Sequence, residues 1–244
     1  MNVYESNKLL NEYLLFHYGS GDEILEWEFG PKPALNFAVR TVETTFDWDR
    51  VAGSARALDV GCAVGRSSFE LSKRCSEVIG IDYSQAFVDA AEAIRSTGRL
   101  AYERLEEGNV WTHQTAERPD GAKVDAVSFE QGDAMNLRDD LGNFDLVHAA
   151  NLLCRLTAPK KFLARLPELV NPGGQLVFTT PCTWMDEFTP RENWPEGSTL
   201  DFLKENLHEA FDFVSSKEMP FLIREHRRKF QWTVAQASIW NRKG

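Results

Sequence analysis

The chain is short of cysteine, of positive charge and of long apolar runs, and each shortage excludes a class of protein. Four cysteines in 244 residues (Cys62, Cys75, Cys154 and Cys182) form neither paired metal spacing nor a disulfide framework. No metal site is expected, and a reducing compartment is. Lysine and arginine total 27 against 37 aspartates and glutamates, a net charge of −10. That sign argues against a nucleic-acid groove as the main substrate site, because phosphate binding needs a positive surface. No apolar run reaches membrane-spanning length, and the N-terminal Met1-Asn-Val-Tyr-Glu-Ser6 has no basic region leading into an apolar one. The expectation is a cytoplasmic protein with neither nucleic acid nor membrane as partner. What is present is ordinary globular material, 43% hydrophobic and 26% charged, long enough for one sizeable domain and its core.

One stretch organises the rest. Ala57, Leu58 and Val60 predict a short buried strand, Gly61 to Gly65 a tight turn, and Ser67 to Arg74 the helix it opens into. Such a turn lets backbone approach a ligand and aims N–H groups at its oxygens. Glu77-Val-Ile-Gly-Ile-Asp82 is a second apolar strand ending in an acid, placed to accept hydrogen bonds from a ribose. A nucleoside ligand follows. A dinucleotide fingerprint wants glycine at the first, third and sixth places, and those hold Gly61, Ala63 and Arg66, so a nicotinamide cofactor fits poorly.

In chain order, residues 1–50 predict a helical extension with an apolar stripe over Ser6 to His17, and 51–244 the nucleoside-binding domain. Ser84 caps a helix that is expected to run on toward Glu107. Residues 108 to 122 read as a loop, and Val124 to Phe129 as a third strand. Further strands are expected at 144–151, 175–180, 211–217 and 230–240, with helices at 159–170 and 200–210. Strands alternating with helices imply an α/β, doubly wound, mostly parallel sheet with ligands at its carboxyl ends. Tyr83, directly after the ribose acid, is placed to lay its ring on a base. Asn151 and Arg155 follow the fourth strand. Residues 220–229, Pro-Phe-Leu-Ile-Arg-Glu-His-Arg-Arg-Lys, read as a connection opening on the ligand side. Its arginines suit a carboxylate and Glu225 an ammonium, which favours a small zwitterionic substrate.

Asp59-Val-Gly-Cys-Ala-Val-Gly65 resembles motif I of class I S-adenosylmethionine-dependent methyltransferases, with Ala63 replacing the usual middle glycine. The resemblance implies a Rossmann-like seven-stranded sheet and S-adenosylmethionine as cofactor, released as S-adenosylhomocysteine. It implies that Asp59, Gly61, Cys62, Gly65 and Arg66 face the methionine part, that Asp82 and Tyr83 meet ribose and adenine, and that Asp133 and Ala134 meet the adenine edge, with Asn151 nearby.

His17-Tyr-Gly19, Ala149 to Leu156, the loop with Trp184, and Pro220 to Lys229 together resemble the methyltransferases of ovothiol biosynthesis, usually met as the C-terminal domain of ovothiol synthase. This implies methylation of a ring nitrogen of 5-thiohistidine (4-mercaptohistidine), giving ovothiol A. It also implies an upstream sulfoxide synthase module as a partner, acting from elsewhere if the chain is a stand-alone enzyme. His226 and Glu225 are then the expected catalytic pair. His17, Tyr18, Asn151, Arg155, Arg224, Glu225 and Arg228 are the expected substrate contacts. Two other readings stay open: a class I methyltransferase for another small amine or amino acid, and a non-catalytic cofactor-binding partner subunit.

Overall fold

A computed structural model describes residues 5–244, so the expected extension 1–50 begins outside the described residues. Seven strands form one sheet in the order β5-β2-β1-β6-β7-β9-β8. They are β1 (Arg56–Val60), β2 (Glu77–Asp82), β5 (Val127–Gln131), β6 (Phe144–Ala150), β7 (Val170–Thr180), β8 (Phe211–His226) and β9 (Lys229–Arg242). The first five are parallel, and β9 runs antiparallel to both β7 and β8. The doubly wound α/β sheet expected from the strand–helix alternation is the fold observed.

Alternation along each strand feeds two cores. Ala57, Val78, Leu146 and Val177 face α4 (Arg66–Ser72) and α5 (Gln85–Thr97). Leu58, Ile79, Val147 and Leu176 face α6 (Pro159–Leu169) and α7 (Thr199–Leu207). The N-terminal α1 (Asn7–Tyr18), α2 (Gly21–Ile24) and α3 (Phe37–Glu43) add Leu14, Leu15, Ile24 and Val42 to the first core.

Two expectations are corrected. The helix after Asp82 ends at Thr97, where Gly98 takes φ +84° and closes it with an N–H bond to Ile94 O. Residues 99–117 are a hairpin, β3 (Arg99–Glu107) and β4 (Val110–Glu117), and not helix and loop. Ala101-Tyr-Glu-Arg-Leu-Glu-Glu107 is good helix material by propensity, but burial of Tyr102 and Ala116 on one face of the pair decides the outcome.

The second correction concerns residues 220–229. They are not a connection: β8 continues through them to His226, and the turn is Arg227-Arg228 alone. Pro220 did not stop the strand because β8 is an edge strand, where a missing N–H costs no ladder bond.

Candidate functional site

The parallel order places the carboxyl ends of β1, β2, β5 and β6 side by side, and four expected ligand loops leave from them. Gly61 (φ +76°) and Gly65 (φ +85°) take left-handed backbone, and the N–H groups of Gly61 and Cys62 bond to Ile81 O at 2.7 and 3.1 Å. The turn is thereby tied to the end of β2. Ala63 adopts φ +47° despite its methyl group, so the missing middle glycine did not change the turn. Gly65 is required for packing as well: a Cβ there would lie 2.6 Å from Phe129 Cζ and 2.9 Å from Ala91 Cβ.

Asp82 ends β2 beneath this turn. Its Oδ2 accepts from Ala63 N–H at 2.8 Å and its Oδ1 from Ser84 N–H at 2.9 Å. Each oxygen keeps lone-pair capacity, the requirement for gripping two ribose hydroxyls. Burial pushes its pKa up to about 6, the N–H bonds from Ser84 and Ala63 opposing and the Asp59 charge adding. Tyr83 beside it is 63% exposed, so its ring is available to a base. Asp133 caps a short 3-10 turn by accepting from Met135 N–H at 2.9 Å, with buried Ala134 next to it. Asn151 stands at φ +54°, its backbone N–H on Thr179 O and its Oδ1 accepting from Thr179 Oγ1 at 3.1 Å. That leaves its amide nitrogen to point elsewhere. Cys62 is buried, and burial raises its thiol well above the ordinary range, so it is a packing residue of the turn.

The N-terminal helix closes on the same turn. Tyr18 donates its hydroxyl to Val64 O at 2.7 Å, and Arg66 donates to His17 O at 3.3 Å with its guanidinium 5.7 Å from the Tyr18 ring centre. Arg66 also pairs with Glu70 at 2.9 Å. Burial, followed by the Arg66 charge, lowers the pKa of His17 to about 3, so its ring is neutral. Its Nδ1 is buried without a hydrogen-bond partner among the described residues. A ring nitrogen left unpaired beside a glycine turn is placed to meet a polar group of a ligand. His17 and Tyr18 are thus held against the glycine turn, and burial of the weakly basic His17 argues against a proton-accepting role.

The expected cluster on β8 and β9 lies apart. Arg224 is 2% exposed, donating to Glu106 Oε2 at 2.6 Å and Glu23 O at 2.8 Å. Glu225 pairs with Lys229 at 2.7 Å and accepts from Gln231 at 3.0 Å, and Lys229 holds its pKa below the usual carboxylate value. His226 Nδ1 accepts from Arg228 N–H, and the Arg228 guanidinium lies 5.9 Å from the Trp27 ring centre. Among the described residues, no hydrogen bond or ion pair joins these four to the turn, Asp82, Asp133 or Asn151. The partners of Arg224 are on β3 and α2, those of Glu225 on β9, and Arg228 meets His226 and Trp27. An open groove of about 420 Å³ lies at this junction, framed by Glu26, Arg104, Glu106, Arg224 and Arg227.

Arg155 ends the short 3-10 turn Leu153–Arg155 that follows β6. One nitrogen holds Thr183 O at 3.0 Å and Cys154 O at 3.1 Å, and the guanidinium lies 4.7 Å from the Phe188 ring centre, at the root of the loop after β7. Sequence reasoning missed His148, Ser68 and Thr179. His148 Nδ1 lies 2.8 Å from Asp59 Oδ1, and Ser68 donates to Asp59 Oδ2 at 2.6 Å. The signal for this contact is the register Asp59↔His148, which needs β6 beside β1 and so the strand order.

With this geometry in view, residues 58–176 match the family described as a methyltransferase domain. The chain is 26% identical over 192 residues to a tRNA U34 carboxymethyltransferase of Idiomarina loihiensis, covering 74% of this chain and 53% of that protein. It is 25% identical over 174 residues to a ubiquinone biosynthesis O-methyltransferase of Acinetobacter baylyi, covering 70% and 61%. The chain thus spans little more than half the length of these curated relatives. Among solved structures, the N-methyltransferase NodS of Bradyrhizobium japonicum in complex with S-adenosyl-L-homocysteine superposes with a TM-score of 0.54 at 15% identity, covering 96% of this chain and 99% of that one. A Methanosarcina mazei protein described as a SAM-dependent methyltransferase gives 0.55 at 15% identity, covering 80% and 95%. These likenesses establish the Rossmann-like fold.

Proposed function

We propose that this chain, residues 58–176 of which match a family described as a methyltransferase domain, transfers the methyl group of S-adenosylmethionine to an imidazole nitrogen of 5-thiohistidine, giving ovothiol A. The cofactor is S-adenosylmethionine. The observation that supports it is Asp82, a carboxylate with one backbone donor on each oxygen, set against a left-handed glycine turn. The acceptor reading is supported by the blocks 17–19, 149–156 and 220–229, which resemble the ovothiol methyltransferases. Of these, 17–19 and 149–156 flank the cofactor crevice.

The cofactor supplies a methyl group on a positively charged sulfur, and the transfer is an in-line displacement by a ring nitrogen lone pair. The chain's part is placement. Tyr18, through Val64 O, and Arg66, through His17 O, hold α1 over the turn and keep water out. Thr179 orients Asn151, leaving its amide to face the acceptor. Arg155 presents what remains of its guanidinium for the acceptor's carboxylate. No general base is assigned: a ring that enters with its nitrogen unprotonated needs none.

Purified protein with S-adenosylmethionine should methylate 5-thiohistidine faster than histidine or ergothioneine, with Arg155→Ala raising KM for the acceptor about tenfold or more. Equal rates on all three acceptors would replace this reading with that of a methyltransferase for another small amine. Cofactor binding without turnover of any would leave a partner subunit.

A further inference from the structure

Beneath the glycine turn lies a buried charge that neither the ribose grip nor acceptor placement uses. Asp59, Ser68 and His148 are 1%, 0% and 0% exposed. They come from β1, α4 and β6, and Asp59 stands two residues before Gly61. The carboxylate accepts from the Ser68 hydroxyl at 2.6 Å and meets His148 Nδ1 at 2.8 Å. Gly80 makes room for this contact, since a Cβ there would lie 2.9 Å from Ser68 Oγ.

The other ring nitrogen decides where the charge resides. His148 Nε2 is buried with no hydrogen-bond partner among the described residues, and the Phe46 ring centre is 6.2 Å from that of the imidazole. An imidazolium would leave a charged N–H unsatisfied in an apolar wall, which is costly. A neutral ring with its proton on Nδ1 satisfies the contact to Asp59 and leaves only a lone pair unpaired. Asp59 is thus an anion stabilised by two neutral donors. Arg66, the cation at the start of α4, is paired with Glu70. The field of Asp59 reaches the crevice, for it helps to raise Asp82 and acts on His17 and Cys62.

We infer that Asp59, held in place and in charge by Ser68 and His148, makes the crevice prefer the cationic cofactor over its neutral thioether product. This rests on the proposed cofactor and deepens it. An uncompensated anion in a low-dielectric wall attracts the sulfonium and has no such hold on S-adenosylhomocysteine, so it favours release of the product. Ser68 and His148 are positioning residues here, acting through Asp59.

Calorimetry tests it with three ligands: S-adenosylmethionine, an analogue carrying an ammonium in place of the sulfonium, and S-adenosylhomocysteine. Asp59→Asn, nearly isosteric, should lower the affinity for both cations relative to the thioether by about tenfold. Asp59→Glu, which keeps the charge, should hold that ratio within about twofold even where all three bind more weakly. Asp59→Ser replaces the asparagine variant if circular dichroism shows that it does not fold. A fall of equal factor for all three ligands in the charge-free variants would overturn the assignment, leaving Asp59 a packing residue. Wild-type protein that binds none of the three would remove the cofactor reading itself, and this inference with it.

Discussion

Asp82 has two opposed requirements: burial disfavours its charge, while ribose hydroxyls need the ionised form to donate to. With the folded value near 6 against an ordinary 3.8, the folded chain holds this proton more tightly than the unfolded one. The proton's contribution to stability is full below about pH 4 and lost as pH rises through about 6. Ligand-free wild type should therefore lose thermal stability between pH 4 and 6 relative to Asp82→Asn. Cofactor affinity runs the other way, weakening up to about tenfold for each pH unit below 6 as the proton must be expelled. Calorimetry across pH 5 to 8 checks this, and a profile unchanged in Asp82→Asn would assign the titration to another group. At Gly65 the expected result is plainer. A methyl group there meets Phe129 and Ala91 on a left-handed backbone, so Gly65→Ala should cost about 2–4 kcal/mol in urea unfolding. Asp82 and Gly65 were legible in the sequence because strand, turn and acid lie within about twenty residues, the local range over which spacing carries geometry. The contact of Asp59 with His148 was not, since it joins residues 89 apart in sequence.

Among the elements, α1 and α2 form a strap fastened at both ends. At the turn, Tyr18 and Arg66 hold it. At the far end, Arg104 and Arg224 both donate to Glu23 O, Arg227 pairs with Glu26 at 2.8 Å, and Trp27 Nε1 donates to Arg227 O at 3.3 Å. The β3–β4 hairpin serves as the clasp, because Glu106 is its residue that takes Arg224. Reading Arg224 as a latch rather than a substrate ligand has a direct consequence. Arg224→Ala takes the partner from Glu106 Oε2, while Oε1 keeps Arg104 and Thr112, and should destabilise by about 1–2 kcal/mol, with KM for the acceptor nearly unchanged. Chemical unfolding and steady-state kinetics on the same preparation separate the two roles, and a large KM effect at full stability would restore the substrate assignment. Tyr18→Phe, at the other fastening, should weaken cofactor binding about fivefold while costing only about 1 kcal/mol of stability. The latch escaped sequence reasoning for two reasons. Its clasp has the composition of a helix, and a basic run on an edge strand looks the same whether it faces solvent or a neighbouring carboxylate.

For the molecule as a whole, the sign of the charge separates the proposed acceptor from those of its relatives. One relative is named for action on tRNA, yet this chain carries a net charge of −10. Several arginines are paired with carboxylates of the same chain: Arg56 with Glu77, Arg66 with Glu70, Arg138 with Glu130 and Asp140, Arg224 with Glu106. A polyanion approaching such a molecule meets repulsion at long range. A zwitterionic amino acid carries no net charge and needs only one arginine and a shaped crevice. The two cases differ in how they respond to salt. An RNA acceptor neutralised at several phosphates would lose about a thousandfold or more in affinity between 50 and 200 mM salt. A small zwitterion held at a partly buried arginine should change in kcat/KM by less than about threefold over that range. Methyl transfer to 5-thiohistidine measured across the salt series, with and without added tRNA, decides between them. Steep salt dependence, or inhibition by micromolar tRNA, would point to a nucleic-acid acceptor despite the acidic surface.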